Sequence, residues 1–252
     1  MTASDPRVAL ITGGSRGIGF ATAERFLSGG YRVVICASNE EAVGEAAQRL
    51  GDRAAGVSAD LSRPEEARAA VRAVIDLTGR IDALVNCHGV LPEPQAVPEI
   101  SDETWRRTID VNLLGPIATT TAAAPHLQCT GGSIVNVSSV NAIVAERDTA
   151  PYGVTKAAIA AFTRFAAVDL GELYGVRVNA VLPGWVNTDM SRPHAKAAGV
   201  SPNDVSVNIL RRFARPEEIA DAIFFLCSEQ STFITGECLV IDGGQSVLTR
   251  DL

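Results

Sequence analysis

The sequence predicts one α/β domain in which a doubly wound, seven-stranded parallel sheet is covered by helices on both faces. Short β-branched runs alternate along the chain with segments that carry apolar residues at helical spacing. Strand candidates such as Val8-Ala9-Leu10-Ile11 are continuously apolar, as expected of strands buried on both faces. Repeated strand–helix alternation of this kind is typical of a parallel sheet.

The elements follow in order. Strands are expected at 7–12, 31–36, 53–59, 82–86, 132–138, 176–182 and 237–242. Helices are expected at 17–29, 40–50, 64–79, 101–128 and 150–174, of which the third begins with a cap and a proline. The region 185–215 contains Pro193, Gly199 and Pro202, and we expect it to be a mobile segment between the last two strands.

Length and composition indicate one folded domain over residues 1–252. A chain of 252 residues and 26.4 kDa is near the upper size that one core serves, and no linker divides it. With 46% hydrophobic and 20% charged residues, it has enough apolar side chains to bury a core. The net charge of −7 and the pI near 5.0 argue against a nucleic-acid partner.

Cysteine spacing and hydropathy bear on the cellular compartment. The five cysteines are widely spaced, so we expect reduced thiols and neither a metal site nor disulfides. The richest apolar stretch, 157–168, is interrupted by Arg164 well before a membrane-spanning length, and no signal peptide opens the chain. We therefore expect a cytoplasmic protein without a membrane partner.

A glycine-rich segment between the first strand and the first helix predicts a phosphate-binding loop. It has the sequence Thr12-Gly13-Gly14-Ser15-Arg16-Gly17-Ile18-Gly19. Glycines allow the backbone to approach a pyrophosphate closely, and the N-terminus of the helix supplies free N–H donors. The segment predicts a dinucleotide site of the Rossmann type, with Gly13, Ser15, Gly17, Ile18 and Gly19 among its contacts.

The end of the second strand favours NADP(H) over NAD(H). An acidic residue usually binds the adenosine ribose of NAD, but Ala37-Ser38-Asn39 occupies that place. Arg16, Ser38 and Asn39 are suited to bind a 2′-phosphate. Two alternatives stay open: Arg16 is only a solvated surface residue, or Glu40 reaches the ribose, in which case NAD(H) is used.

Tyr152 and Lys156 predict an acid–base pair. They are four residues apart in a predicted helix, and hence lie one turn apart on one face. An adjacent ammonium favours the phenolate, so that Tyr152 gives or takes a proton. Ser139 follows the fifth strand, at the sheet edge where open α/β sheets bind ligands, and its hydroxyl is suited to bind a carbonyl oxygen. Ser138 is the competing candidate.

Asn112 is the fourth candidate catalytic residue. It lies in an apolar stretch, where an asparagine needs a buried partner, and Pro116 follows four residues later. Because proline has no N–H, the carbonyl of Asn112 loses its helical partner, and we expect a kink that leaves this carbonyl free to hold a water. The alternative is a helix that merely bends around a buried asparagine.

Together, the glycine loop, Asn112, Ser139, Tyr152 and Lys156 resemble the short-chain dehydrogenase/reductase family, and among its members the 3-oxoacyl reductases. The resemblance covers the whole chain. It implies that Tyr152 is the general acid/base, that Lys156 lowers the pKa of Tyr152 and binds the nicotinamide ribose, that Ser139 orients the carbonyl and that Asn112 holds a relay water.

The resemblance also implies the remaining cofactor contacts. These are Asp60 and Leu61 near the adenine, Asn86 and Gly89 in the Asn86-Cys87-His88-Gly89 segment, and Pro183, Gly184, Val186 and Thr188 on the nicotinamide side. Cys87 and His88 depart from the family pattern. We expect His88 to pack without effect on the pocket, rather than to reshape its floor, and we expect no catalytic role for His126 or His194.

The implied activity is a metal-free, NADP(H)-dependent interconversion of a ketone and a secondary alcohol by direct hydride transfer, with a small-molecule substrate. The substrate depends on 90–98, 140–150 and 185–215. There Trp185, Met190, Val140 and Ile143 suggest an apolar wall, while Asn141, Glu146 and Arg147 are suited to meet a polar group of the substrate. Basic residues typical of reductases that act on carrier-protein thioesters are absent before strands five and six, which disfavours a carrier partner, although Arg106 and Arg107 offer another docking patch.

Two further expectations concern the functional class of the protein and its oligomeric state. The alternative function is a regulatory protein that binds NADP on this fold without chemistry, but it has no need of the four catalytic groups. The family is commonly tetrameric, with the helices 101–128 and 150–174 packed across a two-fold axis and the last strand near another. Ile159, Phe162 and Phe165 fit such an interface, or equally an internal core.

Overall fold

A computed structural model describes residues 6–197, 199–200 and 206–248. The expected seven-stranded parallel sheet is present, with strand order β3-β2-β1-β4-β5-β6-β7. The strands are β1 Val8–Thr12, β2 Arg32–Ala37, β3 Ala54–Ser58, β4 Ala83–Asn86, β5 Ser133–Val137, β6 Arg177–Pro183 and β7 Cys238–Ile241. Each lies within two residues of its predicted bounds.

Eight α-helices are found in the described ranges. They are α1 Gly17–Ser28, α2 Glu40–Leu50, α3 Pro64–Thr78, α4 Asp102–Ile109, α5 Gly115–Gln128, α6 Ala150–Tyr174, α7 Ser191–Ala197 and α8 Pro216–Cys227. Side chains of alternate strand residues enter two separate cores, as in a sheet with helices on both faces. Leu10 and Leu84 pack on one face and Ile11 and Val85 on the other.

The strand order places a ligand crevice at one edge of the sheet. β1 pairs with both β2 and β4, so the chain reverses its direction of winding between β1 and β4. In open α/β sheets, ligands bind outside the carboxyl ends of the strands at such a switch point. The glycine loop after β1 and Ser139 after β5 both lie at this edge.

The predicted helix 101–128 is interrupted, and this corrects the sequence analysis. α4 and α5 are separated by a π-helical segment, Asp110–Leu114, in which the Gly115 N–H donates to the Asp110 carbonyl. Pro116 cannot donate a hydrogen bond, so the backbone widens before it instead of only kinking there. The π-turn contains Asn112, and π-bulges are frequent at functional sites.

The region 185–215 is more regular than expected where it is described. It contains α7, a parallel bridge between Val186 and Ala214, and a stack of the Trp185 and Phe213 rings with centroids 5.3 Å apart. The described residues thus combine one short helix and one bridge with turns and irregular backbone. Pro202 lies outside the described residues, as do 1–5 and 249–252, and the mobility of the region stays a prediction.

Helix α6 corrects the set of expected interface residues. Ile159 is 1% exposed and belongs to the core, which fits the core alternative, whereas Phe162 is partly buried and packs against that core. Phe165 is 73% exposed, on the same side of the helix as the exposed Val154 and Val168. Of the three residues expected at an interface, Phe165 is therefore largely exposed, Phe162 is partly buried and Ile159 belongs to the core.

Candidate active site

A cavity of about 890 Å³ opens at the carboxyl ends of the strands. Its wall is formed by the glycine loop, the ends of β2 to β6, the beginning of α6, and the segment from Pro183 to α7. Nearly all of the predicted cofactor residues line it. They are Gly13, Ser15, Arg16, Gly17, Ile18, Gly19, Ser38, Asn39, Asp60, Leu61, Gly89, Tyr152, Lys156, Pro183, Gly184, Val186 and Thr188.

The glycine loop has the close contacts that a phosphate cradle requires. Gly13 has φ +65°, and a Cβ there would lie 2.8 Å from the backbone of His88. A Cβ on Gly19 would lie 2.2 Å from the carbonyl oxygen of Gly13. The loop therefore closes tightly over the first turn of α1 and lines the cavity beside a helix N-terminus that no side chain caps, an arrangement that fits a dinucleotide pyrophosphate.

The adenosine end of the cavity contains three uncharged or basic groups. Arg16, Ser38 and Asn39 line it, whereas Glu40 is exposed in the first turn of α2 and is not part of the wall. The side-chain oxygen of Asn39 accepts the Ala42 N–H at 2.8 Å and caps α2. The side-chain NH₂ group of Asn39 therefore stays free to donate.

Asp60 is part of the adenine-side wall of the cavity, and hydrogen bonds from its own loop fix its carboxylate. Its carboxylate accepts hydrogen bonds from the Ser62 hydroxyl at 2.7 Å and the Ser62 N–H at 3.1 Å, and these bonds lower the pKa of Asp60. Arg107 lines the same wall, and its charge also favours the Asp60 carboxylate. The sequence analysis assigned Arg107 to an outer docking patch and missed this position, because α4 faces the cavity only in the tertiary structure.

Three of the predicted catalytic side chains meet at the other end of the cavity. Ser139 and Tyr152 both line the cavity, where the Ser139 hydroxyl favours the Tyr152 phenolate, and Lys156 Nζ lies 5.5 Å from the centroid of the Tyr152 ring. Ser139 Oγ also accepts the Asn141 N–H at 3.2 Å. Ser138 is directed away from this group, because its hydroxyl donates to the Lys156 main-chain carbonyl at 2.7 Å. The geometry therefore favours Ser139 over Ser138.

Burial controls the protonation of this group. Burial raises the pKa of Tyr152 to about 12, an effect that its hydrogen bond with Ser139 only partly opposes. Burial lowers the pKa of Lys156 to about 8. The expected lowering of the tyrosine pKa by Lys156 is not seen in the chain alone, because the ammonium is directed to the Val137 carbonyl, 2.8 Å away.

Asn112 lies beneath the cavity wall and is fully buried. Its side-chain oxygen accepts the Val90 N–H at 2.7 Å, while its NH₂ group donates to the Val90 carbonyl at 2.9 Å and to Thr155 Oγ1 at 3.3 Å. The buried partner that the sequence required is therefore the loop after β4 together with α6. These contacts orient the wall next to Tyr152.

Asn86 is buried and does not line the cavity. Its NH₂ group donates to Thr120 Oγ1 at 3.0 Å and to Asn136 Oδ1 at 2.9 Å, and its oxygen accepts the Thr119 hydroxyl at 2.6 Å. The amide thus connects β4 to α5 and β5. The side chain of Asn86 is not brought to the predicted cofactor site, and its observed contacts are structural.

Contrary to the prediction from the sequence, His88 does not pack without effect on the pocket. It lines the cavity, and its Nδ1 is hydrogen-bonded to Thr12 Oγ1 at 2.6 Å, which links β1 to the loop after β4. Its Nε2 is buried without a partner among the described residues. Burial lowers the pKa of His88 to about 3, so the ring is neutral. The interpretation that it affects the floor of the pocket is the better one.

The remaining wall mixes apolar and polar groups. Val140, Trp185 and Met190 line it as expected, whereas Ile143 is 57% exposed and does not. No group of three metal-ligating side chains occurs within the described ranges, and no described helix is long and apolar enough to cross a membrane. All five cysteines are unpaired thiols.

Comparisons with known proteins find relatives that match almost the whole chain. The family model described as "Enoyl-(Acyl carrier protein) reductase" matches residues 13–246. The chain is 36% identical to L-fucose dehydrogenase from Bos taurus over 246 residues, which cover 94% of this chain and 88% of that protein.

Two solved structures are similar. A 3-ketoacyl-(acyl-carrier-protein) reductase from Brucella melitensis, complexed with NADH, has a TM-score of 0.89 at 32% identity and covers 96% of this chain and 99% of its own. The structure "ElxO with NADP Bound" has a TM-score of 0.88 at 28% identity and covers 96% of this chain and 100% of its own.

The chain belongs to the short-chain dehydrogenase/reductase family. It is accordingly an NAD(P)-dependent oxidoreductase that acts on a CH–OH or C=O group.

Proposed function

We propose that this protein interconverts a ketone and a secondary alcohol with NADP(H), using Tyr152 as the general acid/base. The observation that carries the proposal is the arrangement at the nicotinamide end of the cavity. There Ser139 and Tyr152 both line the cavity, and the buried ammonium of Lys156 lies 5.5 Å from the centroid of the Tyr152 ring.

The residues divide the work of carbonyl reduction. When bound, a reduced nicotinamide supplies the hydride that reaches the carbonyl carbon. Tyr152 donates its proton to the carbonyl oxygen, and the Ser139 hydroxyl donates a hydrogen bond to the same oxygen and stabilises its developing charge. Lys156 supplies positive charge next to the tyrosinate that remains, and Asn112 positions the wall and holds a relay water.

At neutral pH the protonation of Tyr152 suits this residue to act as the acid in carbonyl reduction. A pKa raised to about 12 keeps the phenol protonated, which is the form that gives a proton to a carbonyl oxygen. Oxidation of an alcohol needs the phenolate, which burial disfavours. Lys156, with a pKa near 8, is mostly charged at neutral pH and stabilises the phenolate as it forms.

The cofactor is proposed to be NADP(H) rather than NAD(H). Arg16, Ser38 and Asn39 line the adenosine end, where a guanidinium, a hydroxyl and an amide NH₂ can bind a 2′-phosphate. Glu40 is outside the wall, and the acidic residue that favours NAD(H) is absent at the end of β2.

The test is the oxidation of NADPH and of NADH over a panel of ketones, with Tyr152→Phe and Tyr174→Phe compared. Tyr152→Phe is expected to fold and bind cofactor but to lose turnover, while Tyr174→Phe, at the far end of α6, keeps it. A Tyr152→Phe variant that retains more than about a tenth of the wild-type rate overturns the assignment.

The alternative function, a regulator that binds NADP without chemistry, receives no support from the comparisons. It predicts tight cofactor binding with no turnover of any ketone. The arrangement of Ser139, Tyr152 and Lys156 in one cavity favours the enzyme, because cofactor binding alone does not need a serine, a tyrosine and a lysine gathered there.

We also propose a homotetramer located in the cytoplasm. Phe165, Val168 and Leu173 are exposed along the outer face of α6, and Phe233 is fully exposed close to β7 in the chain. Apolar faces of this kind suit an interface between copies. Light scattering is expected to give a tetramer that Phe165→Glu weakens, and a strict monomer at micromolar concentration overturns the proposal.

A further inference from the structure

The substrate end of the cavity holds a carboxylate close to the proposed acid. Glu146 belongs to the loop between β5 and α6, is half-buried, and lines the cavity together with Ser139 and Tyr152. Asn141 connects the two groups, because its main-chain N–H donates to Ser139 Oγ and its side chain donates to Glu146, and the negative charge of Glu146 contributes to the raised pKa of Tyr152. Glu146 therefore faces the space that the substituents of a reacting carbonyl occupy.

A local network fixes the direction of this carboxylate. Asn141 Nδ2 donates to Glu146 Oε2 at 3.1 Å and to Thr149 Oγ1 at 3.3 Å, while the Thr149 hydroxyl donates to the Glu146 main-chain carbonyl at 3.0 Å. The same Asn141 donates its N–H to Ser139 Oγ. A carboxylate has about four lone-pair sites, so this network holds Glu146 in place and leaves acceptor capacity for a ligand.

We infer that Glu146 is a specificity-determining residue that accepts a hydrogen bond from a hydroxyl group on the carbon next to the substrate carbonyl. The inference rests on the proposed function. The substrates are accordingly neutral hydroxy ketones and the diols formed from them. An ionised carboxylate only accepts hydrogen bonds, and a bond to a charged acceptor is among the stronger ones.

Charge at this end of the cavity makes a neutral substituent the best fit. An anionic substituent is repelled by Glu146, and also by Asp148 and Asp189, of which Asp189 is paired with Arg192 at 2.9 Å. A cationic substituent is disfavoured because Lys156 and Arg147 line the same cavity. A hydroxyl satisfies the acceptor without either cost.

A substrate without the hydroxyl places an apolar group against this carboxylate in place of a hydrogen-bond donor. Val140, Trp185 and Met190 line the same end of the cavity and exclude part of the water that would otherwise solvate Glu146. A site built to bind a hydroxyl rejects the analogue that lacks it much more strongly than an apolar pocket does. The discrimination is therefore expected to be measurable in kcat/KM.

The experiment compares 2-hydroxycyclohexanone with cyclohexanone in the wild-type enzyme, Glu146→Leu and Asp148→Asn. The wild type is expected to prefer the hydroxy ketone about 10- to 100-fold in kcat/KM, and Glu146→Leu to reduce this ratio to about one. The ratio is the readout because a changed tyrosine pKa affects both ketones alike. Asp148→Asn removes the same charge from the same wall, keeps a residue type that tolerates the observed φ of 62°, and is expected to retain the preference.

A second variant keeps the inference testable if Glu146→Leu does not fold. Glu146→Gln keeps the shape of the side chain and removes its charge, and it is expected to raise kcat/KM for 3-oxocyclohexanecarboxylate about tenfold relative to cyclohexanone.

Two outcomes overturn the inference alone: equal turnover of both neutral ketones by the wild type, or an unchanged ratio in Glu146→Leu. Failure of the proposed function is distinguishable, because then no ketone is reduced, with or without a hydroxyl, and the inference falls with it.

Discussion

The ammonium of Lys156 donates a hydrogen bond to the main-chain carbonyl of Val137 at 2.8 Å. Val137 ends β5 and Lys156 lies in the second turn of α6, so this bond joins the strand edge to the helix beside the cavity. Lys156 is 5% exposed, and its charge is paired with a carbonyl dipole instead of a carboxylate. The protein thus holds a desolvated positive charge next to Tyr152.

The first prediction concerns the pH dependence of catalysis. Burial lowers the pKa of Lys156 to about 8, so the positive charge is lost as the pH rises through that value. We expect kcat/KM for ketone reduction to fall about tenfold per pH unit above pH 8, well below the pKa of Tyr152. A pH–rate profile from 6 to 10 measures this, and a flat profile contradicts it.

The second prediction is that Lys156→Met is more stable than the wild type. The folded pKa near 8 lies below the ordinary 10.5, so folding at neutral pH includes the cost of burying the ammonium, and this cost is relieved as the pH rises from 8 towards 10.5. The variant avoids this cost but also loses the hydrogen bond to Val137, which offsets part of the gain. The free energy of unfolding at pH 7 is therefore expected to rise by about 1–2 kcal/mol.

Denaturant unfolding at pH 7 and pH 10 measures this effect, which shrinks at the higher pH. Lys196→Met serves as the control because Lys196 is the other lysine of the chain and is exposed. Equal gains in both variants attribute the effect to surface charge rather than to burial.

The third prediction concerns acid stability. His88 is neutral in the folded protein because burial lowers its pKa to about 3, whereas the unfolded chain binds a proton near 6.5. Its contribution is fully present above pH 6.5 and is lost as the pH falls towards 3, by up to about 1.4 kcal/mol per pH unit.

His88→Asn keeps a polar atom near Nδ1 for Thr12 and removes this titration. The free energy of unfolding of the variant is therefore expected to decline less steeply than that of the wild type between pH 6.5 and pH 4. Urea titrations at several pH values measure both slopes, and parallel slopes show that His88 is not the titrating group.

The fourth prediction concerns cofactor choice. Arg16→Ala is expected to weaken NADPH binding about tenfold, because a charge-assisted contact with the 2′-phosphate is lost, and to change NADH binding less than about twofold. Fluorescence titration gives both Kd values. Arg72→Ala removes an exposed arginine on α3 and controls for net charge. Equal weakening of NADPH and NADH by Arg16→Ala identifies a pyrophosphate contact instead.

Particular residues show which features of the structure can be predicted from the sequence. The apolar run 8–11 predicted β1 because a continuous apolar strand is stable only when both faces are buried. The glycine loop, Ser139, Tyr152 and Lys156 were found from local signals, namely a strand end or a helical spacing of four residues, and the structure brings them to one cavity. The π-turn at 110–114 was not found, because a proline shows only that a helical bond is missing and not how the backbone compensates.

The sequence by itself determined the sheet, its helices and the residues at the strand ends, since these depend on periodicity and on neighbours in the chain. Only the tertiary structure decided that Asn86 lies outside the cavity, that Arg107 lines it, and that His88 bonds to Thr12. It also decided the protonation of Tyr152 and Lys156. The physical reason is that burial and hydrogen-bond partners come from elements far apart in sequence, and these set which way a side chain faces and which charge it holds.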